Sequence, residues 1–490
     1  MTAMSSCRVW AFAVATLLAC LSHPVLSQNE ALTRDDLEQR IALGQSVAGL
    51  SFAGADLAGL TAVNANLAGL KAEGADLRGA SFTGCFMDGV DFKNAQARGA
   101  TIVDCSLMDA VLTGMDFSGA RLEGLDLMGA SVTGCKFTGA HLADLRFSPS
   151  HLDHIPGLRV ALESSLGHPV SLAYAAGLTG DSFAFVYNSD SPAYDALLPF
   201  SSNPLVSAFD ALGIKAAYRG NWIRAAAKNR LEGTLLSKGL GLLPLSFTTF
   251  PDVGEIGTGP FWGVVTKMNK VKRDVTFDIT VPPFGNRTLT RTELETAWVY
   301  QTPMMEPAGL GPADATFALL MIPAPSPKAK KPTPKETATA ALLHAVGLAR
   351  DERTYLNCWP GVMGMSVLAA DLHTASTRDD AASVLRMAAW EGRPRADLIG
   401  ARRLAVAFLQ EVATLYDADV QSELISAAGL YASEAQLLAQ RWPRIQTDAK
   451  GKPDLEIARG QCKKASELVL EAVVLEKNAA EMIEKALQKK

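Results

Sequence analysis

From Leu50 to Pro149 the hydrophobic positions recur every five residues, in twenty units without an insertion, from LSFAG ADLAG LTAVN ANLAG to AHLAD LRFSP. That period fits neither the alternation of a strand nor the turn of a helix. A fixed short repeat predicts a solenoid. The third position is Leu, Phe, Ile, Met or Val in most units and the first is Ala, Cys, Val, Met or Leu, so both are expected to face inward. Where the first position is large, at Leu60 and Leu70, the third shrinks to Ala62 and Ala72. A close-packed interior of fixed cross-section demands that trade. The second, fourth and fifth positions carry Asp, Asn, Ser, Thr, Lys, Arg and Gly, which suits an outer wall with a turn in every unit. Leu107 and Phe117, both at third positions, are therefore predicted to be buried.

Ahead of the repeat, in the segment 28–49, Thr33-Arg34-Asp35-Asp36 opens a short amphipathic helix with a capping-box start that ends near Gly44. An uncovered solenoid end exposes its bore and unpaired backbone groups, so this helix is expected to cap the first coil. Ser150 to Gly157 is the candidate cap at the other end.

From Val160 the period of five gives way to a mixed α/β pattern, and the region 150–322 reads as one domain. LESSLGHPVSLAYAAGL is helix-like, FAFVYN and LLPLSF are strand-like, and NWIRAAAKNRLEGTLLSKG is helical. GPFWGVVTKMNKVKRDVTFDITVPPFG reads as a hairpin of two strands, and LTRTELETAW as a short capped helix. PAPSPKAKKPTPK, at 323–335, is a stiff, solvated linker by composition. Residues 336–490 are helical by periodicity throughout and predict an α-helical bundle.

The extreme N-terminus changes the setting. Arg8 is followed by the apolar run Val9 to Leu21 and the breaker His23-Pro24, which is the pattern of a secretory signal peptide over residues 1–27. Val25-Leu26-Ser27 places cleavage before Gln28, and the apolar run is too short to span a bilayer as a helix. Leu17-Leu18-Ala19-Cys20 also resembles a lipobox, so the alternative is a lipoprotein held to the membrane through Cys20. Either way the expected location is outside the cytoplasm, in the periplasm or the medium. With 490 residues, 48% of them hydrophobic and 20% charged, the chain can bury substantial cores in two or three domains. A formal net charge of -5 is too small at this length to imply nucleic acid or an acidic surface as partner. Cys7 and Cys20 fall in the leader, and Cys85, Cys105, Cys135, Cys358 and Cys462 are too scattered for a disulfide framework.

The ADLxG register resembles the pentapeptide-repeat family, whose members wind a right-handed, four-sided β-helix with four units per coil. On that likeness the twenty units make five coils, and a column of about 24 Å at the strand spacing of a sheet. Cys85 and Cys105 then lie one coil apart on the same face and Cys135 on the opposite one, all three inward and expected as buried thiols. Some members of the family imitate DNA, which needs a strongly acidic cylinder in the cytoplasm. Here eleven acidic side chains face seven basic ones between Leu50 and Pro149, so no nucleic-acid mimicry is expected.

The order of the later pieces resembles proteins related to butirosin biosynthesis protein H, an acyltransferase with a papain-like or C39-peptidase-like fold followed by a helical domain. The likeness spans roughly Val160 to Trp298 and again Gly361 to Leu487. It implies a catalytic cysteine opening the first helix, a histidine before a strand like Trp262-Gly263-Val264-Val265-Thr266, and an acid before proline in the next strand. Those three places are taken here by Gly167, by Phe261, and by Val281 or Pro282. Glycine and phenylalanine supply neither thiolate nor base. The resemblance thus implies a degenerate papain-like α/β domain, with Phe261 and Trp262 at the mouth of an inert, apolar cleft suited to a peptide or a neighbouring domain.

Other candidate chemistry is sparse. Ser164 and Ser165 precede His168 by four and three residues, which could join a hydroxyl to an imidazole, but no acid or oxyanion donor is identifiable. His151, Asp153 and His154 lack a third ligand at a recognised spacing and are expected in an interdomain loop. Cys358 precedes a helix without a histidine near it in sequence. No motif calls for a cofactor or a metal. The expectation is an exported, non-catalytic binding or scaffold protein with an unidentified protein or peptide partner. The alternative is an exported hydrolase or acyltransferase whose nucleophile has moved to Ser164, Ser165 or Cys358.

Overall fold

The computed structural model describes residues 32–145 and 154–489, apart from single residues and short stretches within them, among them 195–203, 299–316, 325–330, 353–357 and 440–451. The signal-peptide segment with Cys20 and Gln28, Gly44, His151 and Asp153 lie outside the described residues, as does most of the lysine-rich part of the linker. No helix among the described residues is long and apolar enough to cross a membrane.

Helix α1 (Arg34–Ala42) starts where its capping box predicts: the Thr33 side chain accepts from the Asp36 amide and Asp36 reaches back to the Thr33 backbone. These two bonds satisfy donors that a helix start leaves open. Leu37 is fully buried, and Arg34 donates through Nη1 to the Ala58 carbonyl at 2.5 Å, fixing α1 over the first coil.

The solenoid follows. Strands β1 (Thr61–Val63), β2 (Ser81–Thr83), β3 (Thr101–Val103), β4 (Arg121–Glu123) and β5 (His141–Ala143) stack in parallel in that order, each twenty residues after the last. Single bridges repeat the same offset on the other sides, as in Ser51↔Lys71, Asp56↔Asp76 and Asn66↔Phe86. One coil is therefore four units. The first and third positions fill the bore, including Leu107 at 2% exposure and Phe117 at 3%, and Phe117 stacks on Phe137 one coil later with centroids 5.4 Å apart. Fifth positions turn the chain through positive φ, which favours glycine. Asn94 and Asp104 hold that conformation too, at φ 58° and 53°, as these two residue types tolerate. Each then needs glycine above it. A Cβ on Gly114 would strike the Asn94 side chain, and one on Gly124 would lie 2.6 Å from Asp104 Oδ1.

After the solenoid come α2 (Ile155–Leu166), α3 (Leu172–Thr179), β6 (Val186–Asn188), β7 (Ser191–Tyr194), α4 (Pro204–Asp210), β8 (Ala217–Trp222), α5 (Arg224–Leu236) and β9 (Leu240–Ser246). A two-residue pair, β10 (Thr249–Phe250) and β11 (Gly254–Glu255), precedes the long hairpin of β12 (Pro260–Val271) and β13 (Asp274–Val281). Then follow β14 (Gly285–Thr290), α6 (Arg291–Ala297) and β15 (Phe317–Ile322). Six of these strands form one antiparallel sheet in the order β14-β13-β12-β9-β15-β8. Its central strand β9 is buried on both faces because each face is covered. Leu243, Leu245, Val265 and Phe277 share one core with Ala227 and Leu231 of α5 and with the solenoid bore. Leu242, Trp262, Val264 and Leu320 share another with Ile155, Leu158 and Leu162 of α2 and with the C-terminal helices.

The C-terminal region is helical, as its periodicity predicts: α7 (Pro334–Ala349), then the short strand β16 (Cys358–Pro360), then α8 (Gly361–Ser376), α9 (Ala381–Ala388), α10 (Arg393–Ala413), α11 (Ala418–Leu438) and α12 (Leu455–Gln488). Strand β16 pairs with β6, tying this region back to the preceding one. So does a close helix approach, in which Gly177 of α3 leaves room for the Phe408 ring that a Cβ would strike.

Two expectations are corrected here. The stretch 162–178 is two helices, broken where Gly167 closes α2 in the left-handed conformation at φ 78°. Gly167 thus ends α2 and lies ahead of α3, the helix that starts at Leu172 with Ser171 as its cap. Nor do Phe261 and Trp262 line one mouth. Successive strand residues point to opposite faces: Trp262 is buried among the α2 side chains, and Phe261 packs against the core on the other side.

Candidate functional site

The positions singled out by sequence remain apart. Gly167 lies at the far end of α2 from Trp262, against whose carbonyl and Cβ the first turn packs at Gly157. Ten residues of helix, about 15 Å, separate it from Phe261 and from Val281, which is buried beside Gly263 in the hairpin. Pro282 is buried as well. Ser164 and Ser165 donate their hydroxyls to carbonyls one helical turn back, Val160 at 2.9 Å and Ala161 at 2.8 Å. His168 is exposed and its Nδ1 bonds to the Pro169 carbonyl at 2.9 Å. Cys358 is buried in β16 opposite Asn188. Cys85, Cys105, Cys135, Cys358 and Cys462 are all free thiols in the interior. Burial pushes the Cys135 thiol up to about 12, far from the thiolate range a nucleophile needs. Among the described residues no three His, Cys, Asp or Glu side chains are placed to hold a metal ion.

The polar groups that do converge were not apparent from local sequence. They surround the turn from Thr179 to Ala184, between α3 and β6. On one side His154, expected in a loop, is 1% exposed, and its Nε2 lies 2.8 Å from Oδ2 of Asp181, itself 3% exposed. The Trp262 ring meets the imidazole edge to face at 6.3 Å. His344 of α7 lies against Gly180, where a Cβ would come within 3.1 Å of its Nε2. Burial holds the His344 imidazole below its ordinary value, opposed by the Asp181 charge and a hydrogen bond with the Thr179 backbone.

On the other side stands Arg402 of α10, with no exposed surface. Its Nε lies 3.0 Å from Glu434 Oε1 of α11 and 2.9 Å from Glu476 Oε2 of α12. Its Nη1 donates to the Ser182 carbonyl at 3.0 Å and the Ala184 carbonyl at 3.4 Å. Tyr431 lies under the guanidinium at 5.6 Å and donates to Glu476 Oε1 at 3.2 Å. Two buried carboxyl groups thus face one cation. Burial raises Glu434 well above the ordinary carboxylate range, against the opposing charge of Arg402 and with Glu476 adding to the rise.

The next residue, Arg403, points elsewhere, as adjacent helical residues do. It donates to Asp88 and to Met108 Sδ of the solenoid. Asp88 also accepts from the Ser106 hydroxyl and from the Met108 amide at 3.2 Å, and Met108 is buried among the residues of the helical core. One solenoid face is thereby covered. On the opposite face Asp56, Arg78, Gln96, Arg98 and Lys136 are exposed. Acids there pair with neighbouring bases, Asp76 with Arg78 at 2.5 Å and Asp116 with Arg98 at 3.7 Å. Elsewhere Glu73 pairs with Lys93 and Glu123 with Arg121. In these four pairs the outer wall sets each acid beside a base.

Comparison with known proteins is informative for the solenoid. The model of pentapeptide repeats matches it in eight copies, at residues 51–87, 63–95, 73–107 and 105–144. Among solved structures, a trypsin-treated form of QnrB1, a plasmid-mediated fluoroquinolone resistance protein, is 28% identical over 20% of this chain and 61% of its own, with a TM-score of 0.16. A pentapeptide repeat protein of the Arabidopsis thaliana thylakoid lumen is 31% identical over 19% of this chain and 68% of its own, with a TM-score of 0.13. HetL of Nostoc, involved in regulating heterocyst differentiation, is 21% identical over 21% of this chain and 59% of its own, with a TM-score of 0.11. The chain thus spans about three fifths of the first of these structures. None of the curated proteins compared matches it.

Proposed function

Taking residues 51–144 as a pentapeptide-repeat β-helix, we propose that the protein is an exported, non-catalytic scaffold that binds a protein or peptide partner. The observation that carries this reading is the way the solenoid is held. Arg403 and Met108 fix one face to the helical region, so the opposite face, with Arg78, Gln96, Arg98 and Lys136, is presented outward on a rigid column. Repeat columns of this kind bind through extended faces. The groups that could carry chemistry are otherwise engaged: the serine hydroxyls bond to helix carbonyls and the Cys358 thiol is packed. We read the region 150–322 as a degenerate relative of the papain-like acyltransferases, with Gly167 where that likeness implies a cysteine. Export rests on the Arg8 to Ser27 pattern, and membrane attachment enters only through acylated Cys20.

Mass spectrometry of the protein recovered from the envelope or medium should find a mature chain beginning at Gln28. An N-terminus at Cys20 bearing acyl chains replaces the soluble scaffold with a lipid-anchored one, and an intact Met1 overturns export. The same sample should turn over ester, thioester and peptide substrates no faster than after heating. A faster native rate would refute the non-catalytic reading.

A further inference from the structure

The turn from Thr179 to Ala184 is gripped from the helical region at two points, and both grips contain groups that exchange protons. Asp181 sits between His154, at the start of α2, and His344, on α7. One and three residues later the chain offers the Ser182 and Ala184 carbonyls to Arg402 on α10. Phe183, fully buried between them, meets Phe408 of α10 at 5.9 Å and Tyr431 of α11 at 5.5 Å. A short turn fixed from α2, α7, α10 and α11 cannot move at one point without loosening the rest.

We propose that this turn is an acid-released latch, which holds the sheet region to the helical bundle near neutral pH and lets go when His344 takes up a proton. Asp181 is buried beside two imidazoles, with His154 Nε2 at 2.8 Å. A charge on His344, packed against the turn at Gly180, must be buried while the latch is closed, and burying it is costly.

The sign follows for His344. Its folded value is lowered by burial, so the folded and open forms bind protons alike above about pH 6.5. Below that value the open form takes up a proton that the closed form resists, and closure weakens as pH falls. Several other titratable groups on the packed elements bond elsewhere. Glu484 of α12 pairs with Arg350 at the end of α7, and Asp371 of α8 accepts from Tyr187. Glu476 and Glu434 hold Arg402, and β12 brings Trp262, which does not titrate. Asp181 is the charge that acts on His344.

Hydrogen exchange of the full chain, with labelling times scaled to the intrinsic rate, should be compared at about pH 7.5 and about pH 5, on either side of the ordinary histidine range. Peptides covering 154–160 and 179–185 should lose protection by about tenfold at the lower pH. Solenoid peptides between 60 and 120 should keep theirs. His344→Gln and His344→Asn, neutral at both values, should reduce the ratio to about twofold or less. The latch is overturned if the seam is equally protected at both pH values, if the solenoid opens with it, or if both variants keep the full ratio. Should neither variant fold, the contrast between seam and solenoid in the parent chain decides.

Discussion

Replacing Arg402 with alanine should lower the unfolding free energy by about 3–5 kcal/mol, the usual cost of removing one partner from a buried charge cluster. Glu434 and Glu476 would be left facing each other with no cation, and the Ser182 and Ala184 carbonyls would lose their donor. The loss should depend on pH in a defined direction. Glu434, already raised by burial, loses the one charge that lowers it, so its folded value stands further above its unfolded one. Protonated Glu434 is therefore tolerated below about pH 4.5 and the loss grows as pH rises towards 7. Denaturant unfolding of the variant at several pH values measures this. A triple replacement of Arg402, Glu434 and Glu476 by methionine and leucines should be less damaging than the single change, because apolar groups of similar volume leave no stranded charge. An Arg402→Ala protein as stable as its parent at neutral pH would show that the cluster is not closed as described.

The second large effect is in the bore. Leu107→Asp places a carboxylate among third-position side chains of neighbouring coils, at a site 2% exposed, and should cost about 4 kcal/mol or more. The same residue introduced at an outward fourth position, Ala53→Asp, should cost about 0.5 kcal/mol or less. Thermal unfolding of the two variants side by side tests the register itself, since a slip of one residue would exchange inner and outer positions. Equal losses at the two sites would reject it.

The solenoid was legible because its period is local: each unit repeats the same inward and outward choices, and the trade between Leu60 and Ala62 is visible within three residues. The caps of α1 and α6 were legible for the same reason, since a threonine and an acid three residues on make both bonds of the box. The buried centre was not. His154 and Asp181 are 27 residues apart, and Arg402 and Glu434 are 32 apart, separations that no helical or strand period connects. A signal was nevertheless present. Glu434 falls on the apolar stripe of Ala427, Tyr431 and Leu438, and Glu476 on that of Ala472, Ala479 and Ile483. A charge on a stripe meant for the core asks for a buried partner. Gly167, followed by His168-Pro169, is also legible as a helix end, and the chain breaks there between α2 and α3.

The central claim is that the candidate nucleophiles are inert in the folded chain, and covalent probing tests it most directly. The mature protein is incubated with serine-directed and thiol-directed reagents, native and after heating, and every adduct is located by mass spectrometry. Only a folded site activates a true nucleophile. The account predicts no stoichiometric adduct on Ser164, Ser165 or Cys358 in the native protein, with the buried cysteines labelled only after heating. A stoichiometric native adduct on any of the three that disappears on denaturation would contradict it and identify an enzyme with a relocated nucleophile.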